Sequence, residues 1–303
     1  MGVVEFLKIA FPLKPIGILR SCFSRRNGTP RQPLLVTAAR AKLTLRPELG
    51  PEYLEGLSSF SHCWILYIFH ENTDLQRLWA SPTTTHPTQY LAPKGKIRVP
   101  RLNGKKIGVF STRSPHRPCP IGLSVAQILA IDGNTVTVGG ADIVDGSPVL
   151  DIKPYVPFCD AVFDAKTPAW VAPSVEQGDE PLAVGAVVVG DRAEEMLRSC
   201  WECTKSTLYS TFEDYKTLVV QVLSRDIRSV TQRVKVPKRK NTDADGVSSL
   251  QEYSRQKAGA GGEEEGTWHL ELDGIDITYE VEDENDEKKK KVVRLKTARI
   301  VGA

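Results

Sequence analysis

The stretch Gly108–Ser124, GVFSTRSPHRPCPIGLS, sets Arg113, His116 and Arg117 among three prolines. Proline fixes φ and withholds a backbone donor, so this loop is expected to be stiff. A stiff loop loses little entropy when it holds a ligand. Its two guanidinium groups can fork onto a carboxylate or a phosphate. The bland alternative is a proline-rich connection with solvated charges. A second group of polar side chains, His70-Glu71-Asn72, follows the apolar octet CWILYIFH. A third, Asp142, Asp145, Asp151 and Lys153, falls within ADIVDGSPVLDIKPY. The cysteines are scattered, and Cys200-Trp201-Glu202-Cys203 lacks the second pair or the two histidines that would complete four metal ligands. Reduced thiols and no metal site are therefore expected.

The elements that must position these groups are mostly strands. Residues 14–20 read as a first strand entering the turn-rich SCFSRRNGTPRQP, and 34–45 read as one or two more. The octet Cys63–His70 is short, aromatic and β-branched, which favours a buried strand that delivers His70, Glu71 and Asn72 at its exit. Asn103-Gly104 and Asp132-Gly133-Asn134 are hairpin signals. Turn formers recur every 8–14 residues, so the first 165 residues are expected to form a small β-barrel domain. Residues 166–190 carry proline and glycine and read as a linker. The remainder, 191–303, reads as a smaller α+β domain. It contains a helix around AEEMLRSCW and a disordered insertion at 237–266, where apolar residues are few. Trp268–Val281 and Val292–Val301 both alternate and are expected to form a hairpin with the charged tip EDENDEKKKK.

Charge is unevenly spread. Residues 1–165 hold 19 Lys/Arg against 12 Asp/Glu, a balance of +7; residues 166–303 hold 21 against 25, a balance of −4. That asymmetry points to an anionic partner for the first half. No apolar run approaches the ~20 residues of a membrane helix. Glu5, Pro12 and Pro15 argue against an organelle presequence, which leaves a cytoplasmic or nuclear protein as the expectation. No P-loop and no Gly-x-Gly-x-x-Gly after a strand is present, so the usual nucleotide cradles are missing.

Six ordered stretches together resemble one family. They are Lys14-Pro15-Ile16-Gly17; Gly28-Thr29-Pro30-Arg31-Gln32-Pro33; Gly56-Leu57 through Phe60-Ser61-His62, Trp64-Ile65-Leu66 and Phe69-His70; Pro100-Arg101-Leu102-Asn103-Gly104; GVFSTRSPHRPCPIGLS; and Asp145-Gly146-Ser147-Pro148-Val149-Leu150-Asp151-Ile152-Lys153-Pro154-Tyr155. This set is similar to the TsaA/TrmO-like family of S-adenosylmethionine-dependent tRNA methyltransferases, built on a small β-barrel. Family members methylate N6 of threonylcarbamoyladenosine next to the anticodon. Further on, Val222-Leu223-Ser224-Arg225-Asp226-Ile227-Arg228-Ser229 resembles the family's closing Asp-Pro-Arg segment, with Ile227 in place of proline. Cys119 stands where the family usually has asparagine.

The resemblance implies S-adenosyl-L-methionine as cofactor and a threonylcarbamoylated, threonine-type tRNA as partner, with no membrane and a homodimer as one option. It implies cofactor contacts from Pro33, Leu34, Leu35, His70, Glu71, Asn72, Arg113, Arg117, Leu123, Asp142, Asp145 and Gly146. Substrate contacts are expected from Arg31, Arg117, Asp226 and Arg228. Because the acceptor N6 must lose a proton, a base is needed, and Asp145, Asp151 and His70 are the candidates. A second reading of the same fold is a tRNA- or nucleotide-binding module that has lost catalysis, in keeping with Cys119 and Ile227.

Overall fold

Strand β1 (Gly17–Ser21) runs into a long connection and returns antiparallel as β2 (Arg40–Leu45), with Gly17 opposite Leu45 and Ser21 opposite Ala41. The computed structural model describes residues 13–72, 74–76, 94–99, 102, 104–171, 184–204, 208–225, 267–283 and 291–302. Four more strands complete the first layer: β3 (His62–Ile68), β6 (Ile121–Asp132), β7 (Thr135–Gly139) and β8 (Ser147–Pro154). They close into a six-stranded antiparallel barrel in the order β1-β2-β7-β6-β3-β8. A short hairpin, β4 (Lys96–Arg98) and β5 (Lys106–Gly108), stands apart from it.

The barrel interior follows from alternation. In β3 every second residue, Cys63, Ile65 and Tyr67, is buried, and Ala41, Leu43 and Leu45 of β2 and Val136 and Val138 of β7 meet them. The octet reads as continuously apolar, yet its Trp64 and Leu66 face outward because β3 is half-buried rather than fully enclosed. Trp64 packs on Tyr155 at 5.5 Å and donates to Asp160 of the four-residue helix α1 (Pro157–Asp160).

The second layer is a sheet in the order β10 (Thr267–Leu272), β11 (Ile275–Asp283), β12 (Lys291–Ile300), β9 (Ala186–Val189), covered by two helices. Helix α2 (Asp191–Cys203) coincides with the expected one. Helix α3 (Phe212–Leu223) is capped by Thr211, whose hydroxyl accepts from the Asp214 amide, and it buries Phe212, Tyr215, Leu218, Val219, Val222 and Leu223. The alternating stretch Trp268–Val281 is not one strand. It divides into β10 (Thr267–Leu272) and β11 (Ile275–Asp283) around Asp273-Gly274, both at positive φ, a hairpin turn that the sequence announces. The span 166–190 contains β9 (Ala186–Val189), which pairs parallel to β12 (Lys291–Ile300). The insertion at 237–266 and the charged tip at 284–290 lie outside the described residues.

The second core reaches back into the first layer. Cys22, Phe23, Val36 and Ala39, from the β1–β2 connection, are buried among Leu197, Tyr215, Leu272 and Leu295. Phe23 forms an antiparallel bridge to Leu272, and the Asp273 amide donates to the Cys22 carbonyl.

Candidate active site

The antiparallel closure gathers one end of each barrel strand at a common mouth: the ends of β1, β3 and β7 and the starts of β2, β6 and β8. Among the described residues the buried serines are Ser21, Ser124 and Ser147, and all three belong to this end. Polar groups in an otherwise apolar barrel require partners, and each serine has one. The Ser147 hydroxyl donates to the Val144 carbonyl at 2.7 Å and lies 3.3 Å from His70 Nδ1. The Ser21 hydroxyl accepts from the Phe23 amide. The Ser124 hydroxyl donates to Asp142 Oδ1 in a short bond, and the Tyr67 hydroxyl lies 3.5 Å from the same serine oxygen.

Asp142 is the electrostatic centre. Burial pushes its carboxyl up to about 6, against the opposing pull of the Ser124 bond, its own backbone amide and the Arg113 charge. Burial also pushes the Tyr67 phenol well up, with Asp142 adding to it, so this hydroxyl stays protonated. Asp145 is held differently. It accepts from the Ser21 amide at 2.8 Å and pairs with Arg20 Nε at 3.2 Å. Gly146 follows at φ +74°, a left-handed turn residue whose missing Cβ would stand 3.9 Å from His70 Nε2.

The arginine loop comes to the same mouth. Arg113 bonds through Nη1 to the neutral Gln32 side chain, in the loop that also carries the exposed Arg31 and the turn Pro33-Leu34-Leu35. Leu34 sits at φ +62°, a left-handed conformation costly for a leucine, and its amide donates to the Gly140 carbonyl at 2.8 Å. Arg117 turns inward to its own loop: Nη1 donates to the Thr112 and Ser114 carbonyls, and the guanidinium lies over the Phe110 ring at 5.8 Å. The Asn72 backbone lies beside His116, which brings this loop against the His70-Glu71-Asn72 turn. Burial lowers the His116 pKa, and the nearby Lys94 and Arg26 charges lower it further. Leu123 lies exposed on the outer face of β6, one residue before Ser124.

Two groups of expected site residues do not gather here. Asp151 lies part-way down β8, past a register shift opposite Leu66, and pairs with Lys153 at 2.6 Å on the barrel's outer wall. The shift reverses which residues point inward, and that takes Asp151 away from the mouth. Asp226 and Arg228 lie outside the described residues. Conversely, reading the sequence for function passed over Tyr67, Ser124 and Ser147. A serine at an inward position of an alternating strand, as in Gly122-Leu123-Ser124-Val125-Ala126, is the signal that could have found Ser124. A surface depression of about 450 Å³ lined by Glu52, Glu55 and Ile131 lies at the opposite end of the barrel, remote from all of these groups.

Residues 18–161 match the family model for the tRNA-methyltransferase O N-terminal domain. A Methanothermobacter thermautotrophicus protein, named a probable S-adenosyl-L-methionine-binding protein, is 37% identical over 147 residues, which is 47% of this chain and 88% of that one. The chain belongs to the tRNA-methyltransferase O family. A human family member, named tRNA (adenine(37)-N6)-methyltransferase, is 47% identical over 146 residues, 47% of this chain. The chain spans about 30% of the length of the human, mouse and rat relatives it matches. Among solved structures, a tRNA-methyltransferase O from Pseudomonas aeruginosa superposes with a TM-score of 0.62 at 27% identity, covering 96% of this chain and 98% of that one. The likeness therefore extends beyond the barrel to the second layer.

Proposed function

We propose that the protein is an S-adenosylmethionine-dependent methyltransferase acting on N6 of threonylcarbamoyladenosine next to the anticodon of tRNA. The observation that carries this reading is the polar mouth, whose groups come almost wholly from the span matched by the family model. The donor set fits such a cofactor. Arg113 is bonded to a neutral partner, so its charge is available for a carboxylate. The carbonyls of Pro33, Leu34 and Leu35 and of the Asp142–Gly146 turn suit an ammonium and the base edges. Asp142, with a pKa of about 6, is mostly ionised at neutral pH and suits a ligand of net positive charge. Bound there, the cofactor supplies a methyl group on a sulfonium leaving group.

Positioning and water exclusion then account for most of the acceleration. The acceptor nitrogen must also lose its proton, and the hydrogen bonds favour His70 for that task. Ser147 commits its proton to the Val144 carbonyl, so its oxygen accepts from His70 Nδ1–H. This tautomer leaves His70 Nε2 with a free lone pair beside Gly146, able to accept a proton. Asp145 is the lesser candidate, because one of its oxygens is already committed to Arg20 and the Ser21 amide. Arg26 and Lys94, whose charges act on His116 of the arginine loop, together with Lys96, Arg98, Lys105 and Lys106 of the hairpin that leads into that loop, offer cations to tRNA phosphates. Arg25, by contrast, is tied to Glu271 at 2.7 Å.

Among the described residues no helix is long and apolar enough to cross a membrane. The cytoplasm is the compartment this activity implies, and a homodimer is part of the proposal. The test is methyl transfer from S-adenosylmethionine to a threonylcarbamoylated threonine tRNA by purified protein. Cofactor and tRNA binding without turnover would instead favour the binding-module reading.

A further inference from the structure

The connection between β1 and β2 carries Gln32 and the Pro33-Leu34-Leu35 turn, and the second layer grips it at both ends. At its start, Phe23 bridges to Leu272, the Cys22 carbonyl accepts from the Asp273 amide at 2.8 Å, and Arg25 pairs with Glu271. At its end, the Tyr209 hydroxyl donates to the Ala38 carbonyl at 2.9 Å and accepts from the Arg40 amide at 3.1 Å. Gln221, on helix α3, accepts through Oε1 from the Ala38 amide at 2.9 Å, and its side chain also bonds Thr37 Oγ1. Val36 and Ala39 are buried in the second core. Between these two anchors lies Leu34, in a left-handed conformation that a leucine leaves when it is not held.

We propose that Tyr209 and Gln221 are positioning residues: the second layer holds the Gln32–Leu35 turn in its ligand-competent shape and so sets the barrel's affinity. The inference rests on the reading of the mouth as a cofactor site. Its physical content does not. The turn's own anchor is the bond from the Leu34 amide to the Gly140 carbonyl, and the side chains of Tyr209 and Gln221, 169 and 183 residues away in sequence, fix the residues that follow it, Arg40 and Ala38, so the turn is fully ordered when the second layer is folded against this connection. Without those side-chain bonds Leu34 is freer to relax toward the β or right-handed region, which re-aims its carbonyl and those of its neighbours. Binding must then reorder the turn, and the apparent affinity falls by the fraction of molecules in which it is out of place.

The experiment uses the full chain with Tyr209→Phe, Gln221→Leu and Gln221→Glu. Two quantities are measured: hydrogen exchange at the Leu34 and Ala38 amides in ligand-free protein, and the Kd for S-adenosylhomocysteine. Loss of one such hydrogen bond should speed exchange at Ala38 and Leu34 and weaken binding roughly three- to tenfold. Gln221→Glu keeps the acceptor for the Ala38 amide and should restore both. Unchanged exchange at Leu34 in both Tyr209→Phe and Gln221→Leu overturns the proposal, as does a lowered melting temperature with unaltered exchange and affinity. If the wild type does not bind S-adenosylhomocysteine while exchange still rises in the variants, the cofactor reading fails and the clamp on the turn stands.

Discussion

The Ser124 hydroxyl donates a hydrogen bond to Asp142 inside the barrel mouth and so offsets part of the burial of that carboxyl. Removing it should raise the Asp142 pKa above its value of about 6. A net-positive ligand binds the ionised carboxylate, so its affinity should rise from pH 5 to 7 and level off. In Ser124→Ala the same rise should be displaced to higher pH. Calorimetric titrations with S-adenosylmethionine across this range read the midpoint, and a midpoint that does not move upward contradicts the assignment. The sign for stability is opposite. Between 3.8 and about 6 the folded state holds more protons at Asp142 than the unfolded state, so this group lowers ligand-free stability as pH rises through that window.

Gly122 leaves room for Tyr67. The two face each other across β3 and β6, and the phenol ring occupies the space in which any Cβ at 122 would stand. Because the ring is buried and pinned by its edge contact with Phe69 at 5.2 Å, it cannot yield cheaply. Gly122→Ala should therefore destabilise the fold by about 1–3 kcal/mol through overpacking, measurable by urea unfolding. A loss below about 0.5 kcal/mol would mean that the ring moves freely.

These two pairs show why the sequence told more of the fold than of the site. The alternation in β3 and β7 and the Asp132-Gly133 turn are local signals, and each marks its element without help from the rest of the chain. Asp273-Gly274 is equally local and was outweighed by the alternation on either side of it. The polar mouth is another matter. Ser124, Asp142 and Tyr67 are 57 and 18 residues apart along the chain and meet only because β3, β6 and the segment after β7 share one end of the barrel. Arg113 and Asp142 were legible as charged residues in suggestive loops. Asp151, in the same stretch as Asp145, was carried elsewhere by a single register shift. Helix α3 was obscured because Leu218–Leu223 is as apolar as a strand; Thr211 and the buried face of α3 decide it.

The two arginines of the proline-rich loop should separate experimentally. Arg113 is exposed and reaches Gln32, whereas Arg117 is half-buried and bonded to carbonyls of its own loop. Arg113→Ala should weaken S-adenosylmethionine binding by roughly 1.5–3 kcal/mol with little change in melting temperature. Arg117→Ala should lower the melting temperature and disorder the loop, with loss of affinity only as a consequence. The reverse pattern, with Arg117 carrying the affinity and Arg113 silent, would exchange the two roles.

The tRNA should be recognised by two terms that salt and chemistry can pull apart. Arg26 and Lys94 lie near His116 of the arginine loop, and the hairpin that leads into that loop adds Lys96, Arg98, Lys105 and Lys106; contacts from such groups to phosphates release counterions. Affinity for tRNA should therefore fall steeply between 50 and 200 mM salt, by roughly tenfold or more if a few phosphates are contacted, while affinity for the small cofactor falls far less. Charge reversal at Lys105 and Lys106 should flatten the salt dependence without altering cofactor binding. Base selection is a separate matter, because the acceptor of the proposed reaction already carries an anionic threonylcarbamoyl group. A cation must meet that carboxylate in the closed complex, and an adenosine lacking it would leave the cation desolvated and unpaired. Methylation of one threonine tRNA, prepared with and without the modification, measures this directly. Turnover should be at least about a hundredfold higher on the modified tRNA, as expected for a site built to pair a buried charge. Equal turnover on the two would reject charge pairing as the source of selectivity, even with methyl transfer intact.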